Sequence, residues 1–387
     1  MQQNYFDYAA ATPMLPEVVE AMLPYYSTQF YNPSAVYLAA QSVKKDMHAA
    51  RARVAIELGA KPTEIIFTAG GTEANNLAIT GVASRFTDAH IVTTPIEHDS
   101  VLQPAMQYAH DFLPVNSKGS ADVPSLKTLI TDNTVLVSIM LANNEIGTIQ
   151  DVKEAAKIVT EVKKERMSRG ISRPLYLHTD ACQAVNYLDI HVSRLGVDML
   201  TLNSGKIYGP KQMGALFIKT GTQIAPIIRG GGQERDIRSG TENVANSIGF
   251  AAALTIVRKS QQSEVERLGV LQQKIINELV DEKQIKLNGA TSKRRLVNNI
   301  HLTIDGVDNE RLLMELDEAG IMVATGSACS ASNDTPSHVL QAIGLSDKQS
   351  RSSIRITLGR YTTIEQCDNL IKSIKDLIGI PMQNDVI

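Results

Sequence analysis

The spacing of hydrophobic positions changes character near residue 255. Before that point, short runs of β-branched and apolar residues alternate with stretches of helical texture. "EIIFT" (64–68), "HIVTT" (90–94), "TVLVSIML" (134–141), "PLYLHTDA" (174–181), "VDMLTLNS" (197–204) and "GALFIK" (214–219) each predict a strand. The third is apolar enough to be buried on both faces. Between them, "AGGTEANNLAITGVASRF" predicts a turn and a helix. "DVKEAAKIVTEVKKERMSRG" predicts a helix that ends in basic residues and glycine, as helix termini favour. Strands separated by helices predict a large α/β domain whose mostly parallel sheet is flanked by helices. Ligands of such sheets sit beyond the carboxyl ends of the strands.

After residue 255 a long charged helix is predicted from "SEVERLGVLQQKIINELVDEK". Short strands follow in "NNIHLTI" and "SSIRITLG", then a last helix near 364–378. This is the texture of a smaller α+β domain. The expected division is a large domain over 13–254 and a small one built from 1–12 and 255–387. No internal repeat or low-complexity linker is visible.

Composition narrows the function classes. A length of 387 residues exceeds what one core usually serves, in agreement with two domains. With 43% hydrophobic and 20% charged residues the chain has an ordinary soluble mix. A net charge of −3 gives no reason to expect direct binding to nucleic acid or an anionic membrane. "MQQNYFDYAAATP" lacks the basic and apolar regions of a secretory signal, and no run approaches the roughly 20 apolar residues that span a bilayer. Cys182, Cys329 and Cys367 form an odd, sparse set, which points to a reducing, cytoplasmic setting rather than a disulfide framework. Neither CxxC nor HExxH spacing occurs, so a metal has little support.

The candidate chemistry lies just after predicted strands. In "TAGGTEANN" a strand ends, Gly70 and Gly71 allow a tight turn, and Thr72 opens a helix. Free N–H groups and the helix dipole suit a phosphate there, although a plain glycine turn with Thr72 as N-cap would look the same. In "LHTDACQ", Asp180 ends an apolar strand, with Gln183 three residues on. A carboxylate at that depth needs a partner, and a cationic ring nitrogen would be one; a helix N-cap is the alternative. In "NSGKIYGPK", Lys206 follows another strand. A lysine held at a strand end can lose solvation and suit Schiff-base chemistry, whereas a lone lysine is more often an exposed loop residue. Together, a phosphate cradle, an acid and a lysine at strand ends of one sheet are the parts of a pyridoxal 5'-phosphate site. His98, in "PIEHDSV", could stack on the ring; a helix-start or surface histidine is the other possibility.

"NYFDYAAATP", "YNPSA", "FTAGGTEANNLAI", "IEHDSVL", "SIMLANNEIGTIQD", "LHTDACQAV", "GKIYGPK", "GGGQERDIRSGTENV", "TGSACS" and "SSIRITLGR" strongly resemble, in order and along nearly the whole chain, the cysteine desulfurases. These are pyridoxal phosphate enzymes of fold type I in the class V aminotransferase group. The short "GSACS" loop resembles the housekeeping and nitrogen-fixation branch.

The resemblance implies that Lys206 carries the cofactor and moves the Cα proton, that Asp180 pairs with the pyridine nitrogen and that Gln183 bonds the phenolic oxygen. It implies that His98 stacks on the ring and aids proton transfer, and that Gly71 and Thr72 hold the phosphate, with Thr241 reaching in from the second subunit of a homodimer. Asn144 and Asn32 would line the substrate side, and Arg355 would clamp the substrate carboxylate. Alternation in "SSIRITLG" supports the last role independently. Ile354, Ile356 and Leu358 share one face and Ser353, Arg355 and Thr357 the other, where a guanidinium can bind a carboxylate bidentately.

One departure stands out. Desulfurases of this kind usually carry a serine three residues, and a histidine one residue, before the lysine; here those positions are Asn203 and Gly205. Ser204 is expected to substitute at the phosphate. "GGGQERDIRSGT" lacks the strand-then-helix context of a nucleotide loop and reads as an active-site loop near a dimer contact.

The resemblance implies conversion of L-cysteine to L-alanine with a persulfide on Cys329. That residue lies among small residues in "ATGSACSASNDTPS" (324–337), as a thiolate that must travel to an acceptor requires. Iron–sulfur scaffold proteins and tRNA-thiolating enzymes both fit as sulfur acceptors. A selenocysteine lyase on the same scaffold, or a non-catalytic scaffold for sulfur carriers, are the alternatives. Cys182, beside Asp180, reads as structural.

Overall fold

A computed structural model describes residues 4–280, 283–326 and 336–379. Twelve strands appear among them: β1 (Asn4–Tyr5), β2 (Ile65–Thr68), β3 (His90–Thr93), β4 (Ala109–Phe112), β5 (Thr134–Ser138), β6 (Tyr176–Asp180), β7 (Met199–Asn203), β8 (Gly214–Ile218), β9 (Ile285–Leu287), β10 (Asn299–Ile304), β11 (Ile321–Met322) and β12 (Ser353–Thr357). The principal helices are α1 (Leu38–Leu58), α2 (Gly71–Ala83), α3 (Asp99–Ala105), α4 (Val152–Ser168), α5 (Val244–Lys259), α6 (Gln261–Leu279), α7 (Asn309–Glu318) and α8 (Ile364–Ile378).

Seven strands form one sheet in the order β2-β8-β7-β6-β5-β3-β4. Only β8 is antiparallel to its neighbours, so the sheet is mostly parallel, as its strand–helix alternation predicts. Successive residues along its strands enter different cores. Ile66, Ile91, Leu136 and Leu216 pack with α2 and α3. Phe67, Val92, Val137 and Phe217 pack with α1, α4 and α5 on the other face. Burial on both faces explains why these strands read as continuous apolar runs. The chain leaves β3 for β4 on one side and returns to β5 on the other, so β3 and β5 flank the switch point where such sheets bind ligands.

Helices α1 and α5 pack on each other, and neither is anticipated from the pattern above. In α1 the buried positions Ala40, Val43, Met47, Ala50, Val54 and Leu58 keep helical spacing. It stops at Gly59, whose φ is +63° and whose missing Cβ would lie 2.0 Å from the His191 ring. Both the backbone conformation and the space demand glycine there.

The remaining strands form an antiparallel sheet β12-β10-β9 and a parallel pair β1-β11. The N-terminal segment is woven into this region. Phe6 donates its N–H to Met322, accepts from Thr357, and lies fully buried among side chains of α6, α7, α8 and β10. On this packing we propose that 1–12 and 255–387 act as one unit and 13–254 as the other. Among the described residues no helix is long and apolar enough to cross a membrane.

Candidate active site

The loops at the carboxyl ends of β2, β3, β5, β6 and β7 converge on a cavity of about 230 Å³. Gly71, Thr72, Asp180 and Lys206 line it, and so do His98, Asn144, Gln183 and Arg355. These eight predicted residues come together from positions scattered along the chain.

The first wall is the turn between β2 and α2. Gly70 adopts φ +145°, a conformation closed to other residues, and a Cβ on Gly71 would stand 2.9 Å from the Cys182 sulfur. Gly70 is the N-cap of α2 and offers no side chain, so Thr72 lies inside the helix rather than capping it. The first-turn N–H groups therefore have no side-chain cap and face the cavity region. Glu73 folds back to accept from the Ala69 N–H at 3.0 Å and is held by Arg238 at 2.8 Å.

Asp180 closes β6 and is nearly buried. Its Oδ1 accepts from the Cys182 N–H at 2.8 Å and its Oδ2 from the Asn75 amide at 2.7 Å. The Cys182 thiol is a third donor, and the carboxylate still keeps a lone pair to spare. The adjacent Cys182 thiol is pushed well above its ordinary pKa, by burial first and by Asp180 second, so it stays protonated and unreactive. This fits a structural role.

The Asn75 amide also donates to Ser100 Oγ at 2.9 Å, and that hydroxyl lies 2.8 Å from His98 Nδ1. The Ser100 backbone N–H donates to the same Nδ1 at 3.1 Å. Because Nδ1 accepts, the proton of the neutral ring sits on Nε2. His98 is thus the N-cap of α3, the helix-start position weighed from sequence, and it also lines the cavity.

Lys206 lies in the short 3₁₀ turn Ser204–Lys206 after β7, and its Nζ donates to the Ala9 and Ala10 carbonyls at 2.6 Å each. Gln183 also reaches Ala9, at 3.0 Å. Opposite them, Arg355 is 2% exposed. It is paired with Asp7 at 2.7 Å and donates to the Asn144 carbonyl at 3.1 Å, while its Nε is buried with no partner among the described residues.

One expectation is corrected. Ser204 does not reach the cavity; its hydroxyl is fully buried, without a partner among the described residues, and packed so tightly on Gly209 that a Cβ there would lie 2.2 Å away. The side chain of Asn203 lines the cavity instead, with its oxygen taken by the Gly205 N–H at 3.0 Å. Asn32 is exposed, bonds the Ser34 N–H at 2.9 Å and does not line the cavity within one chain. Thr241 is exposed and away from this chain's cavity, whereas Cys329 falls outside the described residues.

Asp7, Asn75 and Ser100 escaped the sequence reading, although each sits within a motif quoted above. Glu97 escaped too. It is fully buried beside His98, accepts from Met140 N–H and Thr94 Oγ1 at 2.8 Å each, and is pushed up to about 8, chiefly by burial.

The donor set fits pyridoxal phosphate: an unblocked helix start behind a glycine pair, a buried carboxylate with a lone pair to spare, a lysine, and an arginine on the cavity wall. Among the described residues no group of three or more His, Cys, Asp or Glu could hold a metal.

Residues 4–370 match the family profile described as aminotransferase class-V. A Dictyoglomus turgidum protein named cysteine desulfurase IscS is 42% identical over 387 aligned residues, covering 97% of this chain and 95% of that one. Among solved structures, a NifS-like protein superposes with a TM-score of 0.89 at 31% identity, covering 98% of this chain and 100% of that one. A structure described as SspA in complex with cysteine gives 0.79 at 33% identity, covering 93% and 99%.

Proposed function

Because the chain belongs to the aminotransferase class-V family and stands among its cysteine desulfurases, we propose that it is a pyridoxal-phosphate-dependent cysteine desulfurase. The observation that carries this reading is one cavity whose wall brings together Lys206, Asp180 and Arg355, a cation suited to an α-carboxylate. The bound cofactor supplies an electron sink conjugated to the amino acid's Cα.

Each residue then has a task. The N–H groups at the start of α2, with Thr72, hold the phosphate. Asp180 holds the proton on the ring nitrogen, and Gln183 faces the phenolic oxygen. Lys206 carries the cofactor and moves the Cα proton, and the Nε2–H of His98 is the donor on the ring side. Arg355 binds the substrate carboxylate, with Asn144 beside it. The net reaction transfers sulfur from L-cysteine to the Cys329 thiol, yielding L-alanine and Cys329–S–SH; atoms and electrons balance without an added reductant. The role of Cys329 rests on the sequence and the resemblance.

A homodimer completes the site, with Thr241 and Asn32 serving it from across the interface. Leu23, Phe30, Val36 and Leu38 support this, because they are 57%, 66%, 90% and 89% exposed on the isolated chain, an apolar surface that calls for a cover. The sulfur acceptor is an iron–sulfur scaffold or a tRNA-thiolating enzyme, and the cytoplasm is the reducing compartment that suits a thiol nucleophile.

The test is direct. Purified protein supplied with pyridoxal phosphate should turn yellow and release alanine from cysteine, whereas Cys329→Ser should keep the colour and the cysteine-induced spectral change yet deliver no persulfide. A wild-type protein that stays colourless would overturn the reading.

A further inference from the structure

The cofactor reading leaves a cation at the phosphate end without a task. Beside the principal cavity lies a second, of about 570 Å³, which shares Gly71, Thr72, Asn203 and Lys206 with it and extends to Lys211. Lys211 follows the turn after Lys206, between Tyr208 and Gln212, both at positive φ (63° and 54°). For non-glycine residues this conformation is unusual and fixes the direction in which the chain presents Lys211.

Gly205 makes room for it. A Cβ on Gly205 would lie 3.1 Å from Lys211 Cδ and 4.0 Å from Cε, so the bare glycine lets the lysine stem lie against the turn that carries Lys206. Lys211 donates one of its three ammonium hydrogens to the Thr12 carbonyl. Partial loss of water pushes its pKa below the ordinary lysine value. Asn203 is oriented from the same turn. Its oxygen is engaged by Gly205, while its amide nitrogen lies 3.4 Å from where a Gly71 Cβ would be, at the start of α2.

Charge accounting then selects one residue. A phosphate monoester carries about −1.5 to −2 charges at neutral pH. Lys206 is committed to the cofactor's aldehyde carbon. Arg355 stands with Asp7, on the far side, and Arg238 is taken by Glu73. Lys211 is the remaining cation lining the joined cavities among the described residues.

We propose that Lys211 is the counter-ion of the cofactor phosphate in this protein, with the Asn203 amide as a neutral donor beside it. The two replace the histidine and serine that the resemblance leads one to expect at 205 and 203. This inference rests on the cofactor assignment above, and it names which groups of this chain make that assignment work without the usual pair.

The experiment compares pyridoxal phosphate with pyridoxal, which lacks only the phosphate. Apoprotein is titrated with each aldehyde and followed by visible absorbance, with inorganic phosphate as a competitor. Lys211→Met should weaken pyridoxal phosphate by about 10- to 100-fold, the worth of a charged hydrogen bond, and leave pyridoxal unchanged. Lys211→Arg should retain most of the affinity. Gly205→His added to Lys211→Met should recover part of the loss, because it returns a donor to the same space. Unchanged binding of pyridoxal phosphate by Lys211→Met would overturn the proposal, and so would an equal loss for both aldehydes, which marks a structural role. A wild-type protein that binds neither aldehyde fails earlier, at the cofactor assignment itself.

Discussion

Among the described residues, two buried arginines hold carboxylates, and they are built for different ends. Arg51, on α1, grips Glu234 with two bonds of 2.6 Å, donates to the Ile65 carbonyl at 2.8 Å and lies 4.5 Å over the Phe67 ring. Glu234 in turn accepts from the Phe67 N–H at 2.9 Å. The side chains are 7% and 3% exposed, so the pair is closed to water and to ligands. Arg355, on β12, meets Asp7 through one nitrogen and a carbonyl through another, and lines the cavity. Its partner Asp7 is 18% exposed. The closed pair is two-pronged and dry, whereas Arg355 makes a one-pronged pair on the cavity wall, where a ligand carboxylate can compete with Asp7.

The largest effect should follow from breaking the closed pair. Arg51→Met leaves Glu234 buried without its cation, and stability should fall by about 3–5 kcal/mol in denaturant unfolding. The three residues Glu234, Arg235 and Asp236, all at positive φ, would lose their anchor as well. A variant as stable as wild type would show that the closed pair does not hold the fold. Next comes Arg355→Lys. Loss of the guanidinium fork should lower kcat/KM for cysteine by about 10- to 100-fold, equivalent to about 1.5–3 kcal/mol, with little change in the unfolding midpoint. A large stability loss with intact kinetics would move Arg355 into the structural class.

The last test reads a slope against pH rather than a single loss, at a buried acid that has no arginine. Burial raises Glu97 from 4.5 to about 8. Between those values the native protein holds a proton that the unfolded chain releases, so stability falls as pH rises through that window, by at most about 1.4 kcal/mol per pH unit. Glu97→Gln should flatten the profile between about pH 4.5 and 8. An unchanged slope in thermal unfolding across that range would show that the acid is not the titrating group.

Much of the central sheet was legible in the sequence because its strands are buried on both faces and read as unbroken apolar runs. The edge strand β4 was not, since "AHDF" is mostly exposed and carries no such run. Helix α5 was missed for the opposite reason. "VANSIGFAAALTIVRK" is apolar nearly all round, so no polar face marks its period. Within the site, Lys206, Asp180 and Arg355 were legible from strand-end and strand-face positions. Ser204 was misplaced because the direction of a side chain in a one-turn 3₁₀ segment follows from its packing on Gly209, which spacing does not report.

The sequence alone thus determined which chemical groups the protein carries and at which strand ends they lie, because periodicity and turn residues are local properties of a chain. Tertiary structure decided which of them meet. Arg355 finds Asp7 across 348 positions, and Lys206 is held by the carbonyls of Ala9 and Ala10, 197 and 196 residues away. Every residue has a carbonyl, so no side-chain pattern marks those two; only the folded backbone, laid across the mouth of the sheet, gives them a lysine to hold.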